Sequence, residues 1–208
     1  MATTTETERV RRIMDKEAPR YDRQMNFFDR VLFTGGREWA CGGVEGEVLE
    51  IAVGSGRNLA VYPKGASLTA VEFSPEMLKL AKRRAAEIGT DVDLRLGDAQ
   101  ALEFPDESFD TVICTLALCT IPDPGKAVGE AYRVLRPGGQ FRAIEHVRSP
   151  SLLVRGVQRA IDPLSVRFAA DHVVREPLDY LRPAGFEIQH LERSKIGIVE
   201  RVVARKPR

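Results

Sequence analysis

From position 47 onward, short apolar runs alternate with amphipathic segments, a pattern that predicts βα units around a parallel sheet. Val48–Val53 reads as a first strand and Ser67–Phe73 as a second. Ser74 then sits where a helix N-cap belongs, with Pro75 at the first helical position and Gly89 as the stop, which predicts a helix to about Ile88. Val92–Leu96 alternates as a third strand. Phe109–Thr115 is a continuous apolar run, which predicts a central strand buried on both faces. A helix over Pro124–Leu135, a turn at Arg136–Gly139 and a strand over Gln140–Val147 complete this stretch. Beyond it, helical segments around Leu152–Ala160 and Val174–Leu181 precede two strand-like runs, Phe186–Leu191 and Ile198–Ala204. The short connection Ser194–Gly197 makes these an antiparallel hairpin. Residues 6–42 read as helical, with Tyr21, Phe27, Phe28, Phe33 and Trp39 carrying the apolar surface.

The totals bound what this pattern can be. A chain of 208 residues, 43% hydrophobic and 29% charged, suits a single domain over 1–208. Residues 1–45 would form an N-terminal helical cap and 148–182 a lid on the acceptor side. The net charge is +1, from 31 basic and 30 acidic residues, so no general electrostatic reason favours nucleic acid as a partner. Acidic residues interrupt the first segment and no apolar signal core follows. Val112–Ile121, the most apolar stretch, is too short to span a bilayer, so no stable membrane insertion is expected. Cys41, Cys114 and Cys119 lack disulfide or zinc spacing, which points to a reducing cytoplasm. Oligomeric state is not legible.

The candidate chemistry sits at strand ends. Gly54 and Gly56 close the first strand and let the backbone turn sharply beside a ligand; open α/β sheets bind nucleotides in such a loop, between strand and helix. Glu72 closes the second strand, where a carboxylate can accept from both ribose hydroxyls. Gly97-Asp98-Ala99 follows the third, offering a carboxylate to an exocyclic adenine amine and a backbone N–H to a ring nitrogen. An ordinary βα turn, a dipole-favoured acid and a plain turn explain each feature singly; the ordered series is what points to a nucleotide.

LEIAVGSGRN, AVEFSPEML, LGDAQALEFPDESFDTVICT and EAYRVLRPGGQFRAIEHV resemble the successive motifs of class I S-adenosylmethionine-dependent methyltransferases over about residues 47–148. The nearer resemblance is to the ubiquinone/menaquinone-biosynthesis and phospholipid methyltransferase type. CTLALCTIPD and the downstream Ile161-Asp162-Pro163 are similar to methyltransferase-like enzymes acting on alkyl thiols. The resemblance implies an α/β, Rossmann-like seven-stranded sheet in the order 3-2-1-4-5-7-6, with strand 7 antiparallel and helices on both faces. It implies S-adenosylmethionine as donor, with S-adenosylhomocysteine as product. Glu50 and the Gly54, Ser55 and Gly56 backbone would lie near the methionine moiety, Glu72 on the ribose, and Asp98 and Ala99 at the adenine, with Ala52, Asn58, Phe73 and Met77 also among the cofactor-binding residues. Thr115 and Leu116 would line the methionine end, and Tyr21, in a YD pair, resembles the N-terminal clamp. Two departures stand out. Ala52 replaces the usual glycine, which costs little if its φ is negative, and the first segment is short and charged where the thiol-methylating relatives carry a membrane segment.

Methyl transfer from a sulfonium is an in-line displacement that alignment and water exclusion can drive, and no metal is required. A thiol or phenol acceptor must shed its proton, so His146 is the first candidate base, with Glu145 and His172 behind it. A hydrogen-bonded structural histidine is the plain alternative for both imidazoles. Cys114 and Cys119 read as small buried thiols, and no convincing metal ligand set is visible. The sequence predicts methyl transfer to a small apolar acceptor: a thiol, a phenol or quinone, or a natural-product hydroxyl or amine. A methyltransferase-fold protein that binds the cofactor without transferring methyl, as a cyclase or binding module, fits the same loop. An NAD-dependent oxidoreductase fits less well, because Leu59 stands where the third glycine of GxGxxG belongs.

Overall fold

The computed structural model describes residues 5–208. Thirteen elements follow one another: α1 (Glu6–Val31), α2 (Gly36–Cys41), β1 (Glu47–Ile51), β2 (Ser67–Glu72), α3 (Pro75–Ile88), β3 (Asp93–Leu96), β4 (Phe109–Thr115), α4 (Pro124–Val134), β5 (Leu135–His146), α5 (Leu152–Ala169), α6 (Leu178–Leu181), β6 (Glu187–Ser194) and β7 (Val199–Arg205). The strands form one sheet in the order β3-β2-β1-β4-β5-β7-β6. Pairings from β3 across to β5 are parallel, and β7 runs antiparallel to both β5 and β6.

Side-chain alternation divides the core between the two faces of the sheet. On β1, Leu49 and Ile51 pack on one side with Val128 and Ala131 of α4 and Leu181 of α6. Val48 packs on the other with Ala40 of α2 and Ala81 and Ala85 of α3. The order reverses at β1, whose neighbours are β2 and β4. Connections leaving their carboxyl ends run to opposite faces and open a crevice there.

Local chemistry sets the boundaries. Thr5 and Glu8 form a capping box at the start of α1. Ser74 caps α3, accepting from the Met77 N–H at 3.2 Å, and Gly89 ends it at φ +65°.

Four expectations are corrected. No regular helix follows the glycine loop; residues 54–61 form consecutive turns with bonds such as Leu59 N–H to Gly56 O at 3.1 Å. Arg136–Gly139 lies inside β5, as an irregularity in its pairing with β4. α5 runs on to Ala169 through Pro163, while the helix sought over 174–181 is only the short α6.

Candidate active site

The crevice holds two adjoining cavities, both open to solvent, that share Ala52, Phe73 and Thr120 in their walls. The larger is lined by Tyr21 from α1, Gly54 and Ser55 from the glycine loop, Glu72 and Met77 from the β2–α3 corner, and Thr115 and Leu116 after β4. The smaller is closed by Asp98 and Ala99 after β3. Eleven of the fourteen sequence-selected cofactor positions therefore line one continuous cleft. Glu50, Gly56 and Asn58 stand behind its wall.

Each of those three has a separate task. Gly56 has φ +78°, and an added Cβ would come within 3.0 Å of the Ala81 backbone, so this glycine lets the loop seat on α3. Buried Glu50 accepts from Asn58 Nδ2 and from the Tyr62 hydroxyl, both at 2.8 Å. Asn58 also donates to Thr115 Oγ1 at 2.8 Å and accepts from Arg37 at 2.9 Å. This network pins the carboxyl ends of β1 and β4 and aims the Arg37 guanidinium into the larger cavity. Burial pushes the Glu50 carboxyl up to about 7 against the opposing pull of Tyr62 and Asn58. Arg37 is a cavity residue the sequence analysis missed. It lies outside the motif stretch, and only its place on a helix folding back over the loop brings it to the site.

Glu72 is buried. Its two oxygens accept from the Gly54 N–H at 2.8 Å and the Ser74 N–H at 2.9 Å, so it ties the glycine loop to the start of α3. Burial raises its carboxyl to about 7, with the backbone donors opposing. Asp98 turns back on its own loop and accepts from the Gln100 N–H at 2.9 Å. Two cavity-lining residues are held left-handed: Ala52 at φ +53° and Leu116 at φ +53°. The negative φ that would have made Ala52 inexpensive is therefore absent, and the position carries strain on the order of 1–2 kcal/mol.

α1 lies across the cleft, and three aspartates at seven-residue spacing fasten it. Asp15 accepts from the Ser74 hydroxyl at 2.6 Å. Asp22 accepts from the Ser55 hydroxyl at 2.6 Å and pairs with Arg84 and Arg57. Asp29 bridges Arg37 at 3.0 Å and Arg57 at 2.8 Å. Seven residues are close to two helical turns, so all three carboxylates share a face. Burial beneath this helix pushes the Tyr21 phenol up to about 12.

The candidate bases differ in setting. Glu145 is fully buried, and its Oε1 accepts from the Ala117 and Leu118 N–H groups at 2.8 and 3.0 Å, holding the loop after β4. Its Oε2 is buried without a partner, and burial raises the carboxyl to about 7. Glu145 therefore does not open on either cavity. His146, one residue on, points to the opposite side of β5 and places Nε2 2.9 Å from Asp171. Burial lowers the imidazole pKa, but the Asp171 hydrogen bond and the charges of Asp171, Glu145 and Asp162 outweigh it, and the net shift is upward. His172 is shifted downward, by burial and by Arg175. Asp171 was not foreseen, since nothing in its local sequence marks it. Among the described residues, ligating atoms of Cys119, His146 and Asp171 lie within 4.8 Å of one another. Burial and the Asp171 charge hold the Cys119 thiol well above its usual pKa.

Residues 49–143 match the methyltransferase domain family. The phosphatidylethanolamine N-methyltransferase of Cereibacter sphaeroides is 36% identical over 118 residues, 56% of this chain and 58% of that protein. The demethylmenaquinone methyltransferase of Renibacterium salmoninarum is 38% identical over 145 residues, 65% of this chain and again 58% of the relative. The chain thus spans under two thirds of the length of these two relatives. The thiol S-methyltransferase TMT1A of Homo sapiens is 30% identical over 180 residues, covering 83% of this chain and 74% of that one. Among solved structures, a Thermotoga maritima SAM-dependent methyltransferase, described as a possible histamine N-methyltransferase, superposes with a TM-score of 0.74 at 25% identity, over 95% of this chain and 99% of its own. Sheet order, cleft and sequence agree, and the chain belongs to the class I S-adenosylmethionine-dependent methyltransferases.

Proposed function

We propose that the chain transfers a methyl group from S-adenosylmethionine to a small apolar acceptor. The observation that carries this reading is the continuous cleft running from Asp98 and Ala99, past Phe73 and Glu72, to Thr115 and Arg37. The donor set suits the cofactor. Each Glu72 oxygen keeps a lone pair for a ribose hydroxyl beyond its backbone bond. Arg37 offers a cation to an amino-acid carboxylate. At Gly54 an added Cβ would point toward Tyr21, 4.0 Å away, so the glycine keeps that space open. When bound, the cofactor supplies an activated methyl on sulfur.

The chain's own residues bind, align and exclude water. Tyr21 and Met14 on α1 cover the cleft, and the segment 148–182 would serve as the lid on the acceptor side. His146 accepts the acceptor's proton, with Asp171 orienting its ring. The names of the relatives support thiol, quinone-type and phospholipid-amine acceptors as the first to try. The near-neutral charge argues against nucleic acid. We read the chain as one domain, with 148–182 as lid and 5–45 as cap; residues 1–4 of the expected cap lie outside the described residues. Three unpaired, buried cysteines favour a reducing cytoplasm as its place. No helix among the described residues is long and apolar enough to cross a membrane.

The test is calorimetry with S-adenosylhomocysteine, followed by an acceptor panel read by S-adenosylhomocysteine release. Glu72→Ala and Asp98→Ala should each weaken cofactor binding by roughly 1–3 kcal/mol. Unchanged affinity in both would overturn the cofactor assignment. Tight cofactor binding with no release across the panel would favour a non-transferring binder.

A further inference from the structure

The outer face of α5 is not covered by the fold. Leu153, Val157, Ile161, Leu164 and Phe168 follow one another at steps of three or four residues, and all five are exposed, Leu153 to 80% and Phe168 to 68%. That spacing makes one stripe, about 80° wide at 100° per residue. The opposite side holds the helix down: Gln158 is buried, donates to the Val147 carbonyl at 2.9 Å and accepts from the Ser149 N–H at 2.8 Å. The patch continues past the start of the helix. Leu152 is 80% exposed, and Ile196, at the tip of the β6–β7 turn, is 74% exposed. Ser149 bonds the Ile196 carbonyl at 2.7 Å, which fixes that turn beside the start of α5.

The charges around this patch have one sign. Arg167 is exposed on one flank of the stripe, about 80° from its centre, and Lys195 is exposed beside Ile196; Arg159 lies on the far side of α5, about 160° from that centre. The one acidic residue of α5, Asp162, is half-buried and about 140° from the centre of the stripe by helical geometry; its charge acts on His146 and His172 beneath the helix. A second copy seated on this face would place the same cations, Arg167 and Lys195, against each other without an acidic partner from α5. An anionic surface would complement them. An apolar stripe with a basic flank on a helix lying flat against the body is the arrangement of an interfacial helix.

We infer that α5 docks this protein on the surface of an anionic phospholipid bilayer, with the Leu153–Phe168 stripe among the upper acyl chains and Arg167 and Lys195 at the headgroups. The helix lies in the interface plane and does not cross it. Docking does not depend on methyl transfer. Its consequence for the site is that the lid helix beside His146 would face the phase in which an apolar acceptor concentrates.

Co-flotation of the full chain tests this, using vesicles of phosphatidylcholine and phosphatidylglycerol in equal parts beside vesicles of phosphatidylcholine alone. Binding to the mixed vesicles, weakened by salt, is expected. Leu164→Ser with Phe168→Ser should lower it about 100-fold, since each exposed side chain gains its transfer free energy only on the bilayer. Arg167→Gln with Lys195→Gln should lower it about 25-fold, from a factor of about five for each cation near an anionic surface. Because these side chains are exposed, melting temperatures should stay put; Leu153→Ser with Val157→Ser is the substitute pair should the first fail to fold. No binding to mixed vesicles overturns the inference. So does binding that both serine pairs leave intact, or a concentration-dependent dimer that they dissolve in a protein that ignores vesicles.

Discussion

Asp22 on the N-terminal helix accepts a 2.6 Å hydrogen bond from the Ser55 hydroxyl in the glycine loop. The same carboxylate pairs with Arg84 of α3, so one side chain joins cap, loop and core helix at the cleft. Asp22→Ala should weaken S-adenosylhomocysteine binding by about 1–2 kcal/mol, through loss of charge-assisted bonds that position the cap. Calorimetry reads the affinity and a melting curve reads the fold. Equal affinity in the variant would mean that the cap does not contribute to the closed cleft.

Ala52 offers a test in the opposite direction. Its φ of +53° is open to glycine at no steric cost. Relief of about 1–2 kcal/mol, less the roughly 0.5–1 kcal/mol of extra chain entropy that glycine loses on folding, leaves a gain of about 0.5–1 kcal/mol. Denaturant melts of Ala52→Gly should show that gain with an unchanged slope.

Glu145 makes stability depend on pH. Its folded pKa, about 7, lies above the ordinary value of 4.5, so its contribution is fully present below about 4.5 and is lost as pH rises through about 7. Glu145→Gln should remove that loss while preserving an acceptor for the Ala117 and Leu118 N–H groups. The variant should therefore gain more in melting temperature at pH 8 than at pH 5, relative to the parent. An equal shift at both values would rule out titration of Glu145 across that range.

His146 and Asp171 bear on turnover. His146→Ala should lower it about 10²–10⁴-fold for an acceptor that ionises, with cofactor affinity nearly intact. Asp171→Asn removes the charge that outweighs burial, so the imidazole pKa should fall and the acidic limb of the rate profile should move to lower pH. A profile that stays in place would leave Asp171 with a structural task only.

The Cys119, His146 and Asp171 group sets a further check. His146 Nε2 and Asp171 Oδ1 lie 2.9 Å apart, close enough to face each other directly, and methyl transfer from a sulfonium requires no metal. Turnover should survive EDTA and be unmoved by added zinc. Loss of turnover on chelation, restored by the metal, would reassign the trio as ligands.

The sheet was legible because its signals are local. Continuous apolar runs such as Phe109–Thr115, and caps such as Ser74 and Gly89, write strand and helix ends directly into the chain. Eleven of the positions chosen from the sequence line the cleft for the same reason, as strand ends follow in order. Arg37 and Asp171 were not, because long-range folding alone brings them to the cleft and to His146. Glu50 was legible as important but misplaced by one layer: its side chain takes the face of β1 that points to Asn58 and Tyr62. The sign of φ at Ala52 was also hidden, since a glycine-rich loop fixes its backbone through neighbours on α3 and β2.

The fastening of α1 has a consequence for motion. Only Val10 and Ala18 are buried along its 26 residues, so carboxylate contacts hold it far more than apolar burial does. Such an element opens as a unit of its own, at a free energy well below that of the sheet. Its amides should exchange with solvent deuterium ahead of those in β1 and β4, and faster as ionic strength rises, because screening weakens charge contacts and leaves buried strands untouched. The rate at which donor enters and product leaves would then be set by the three aspartates, a quantity that salt can tune without disturbing the core.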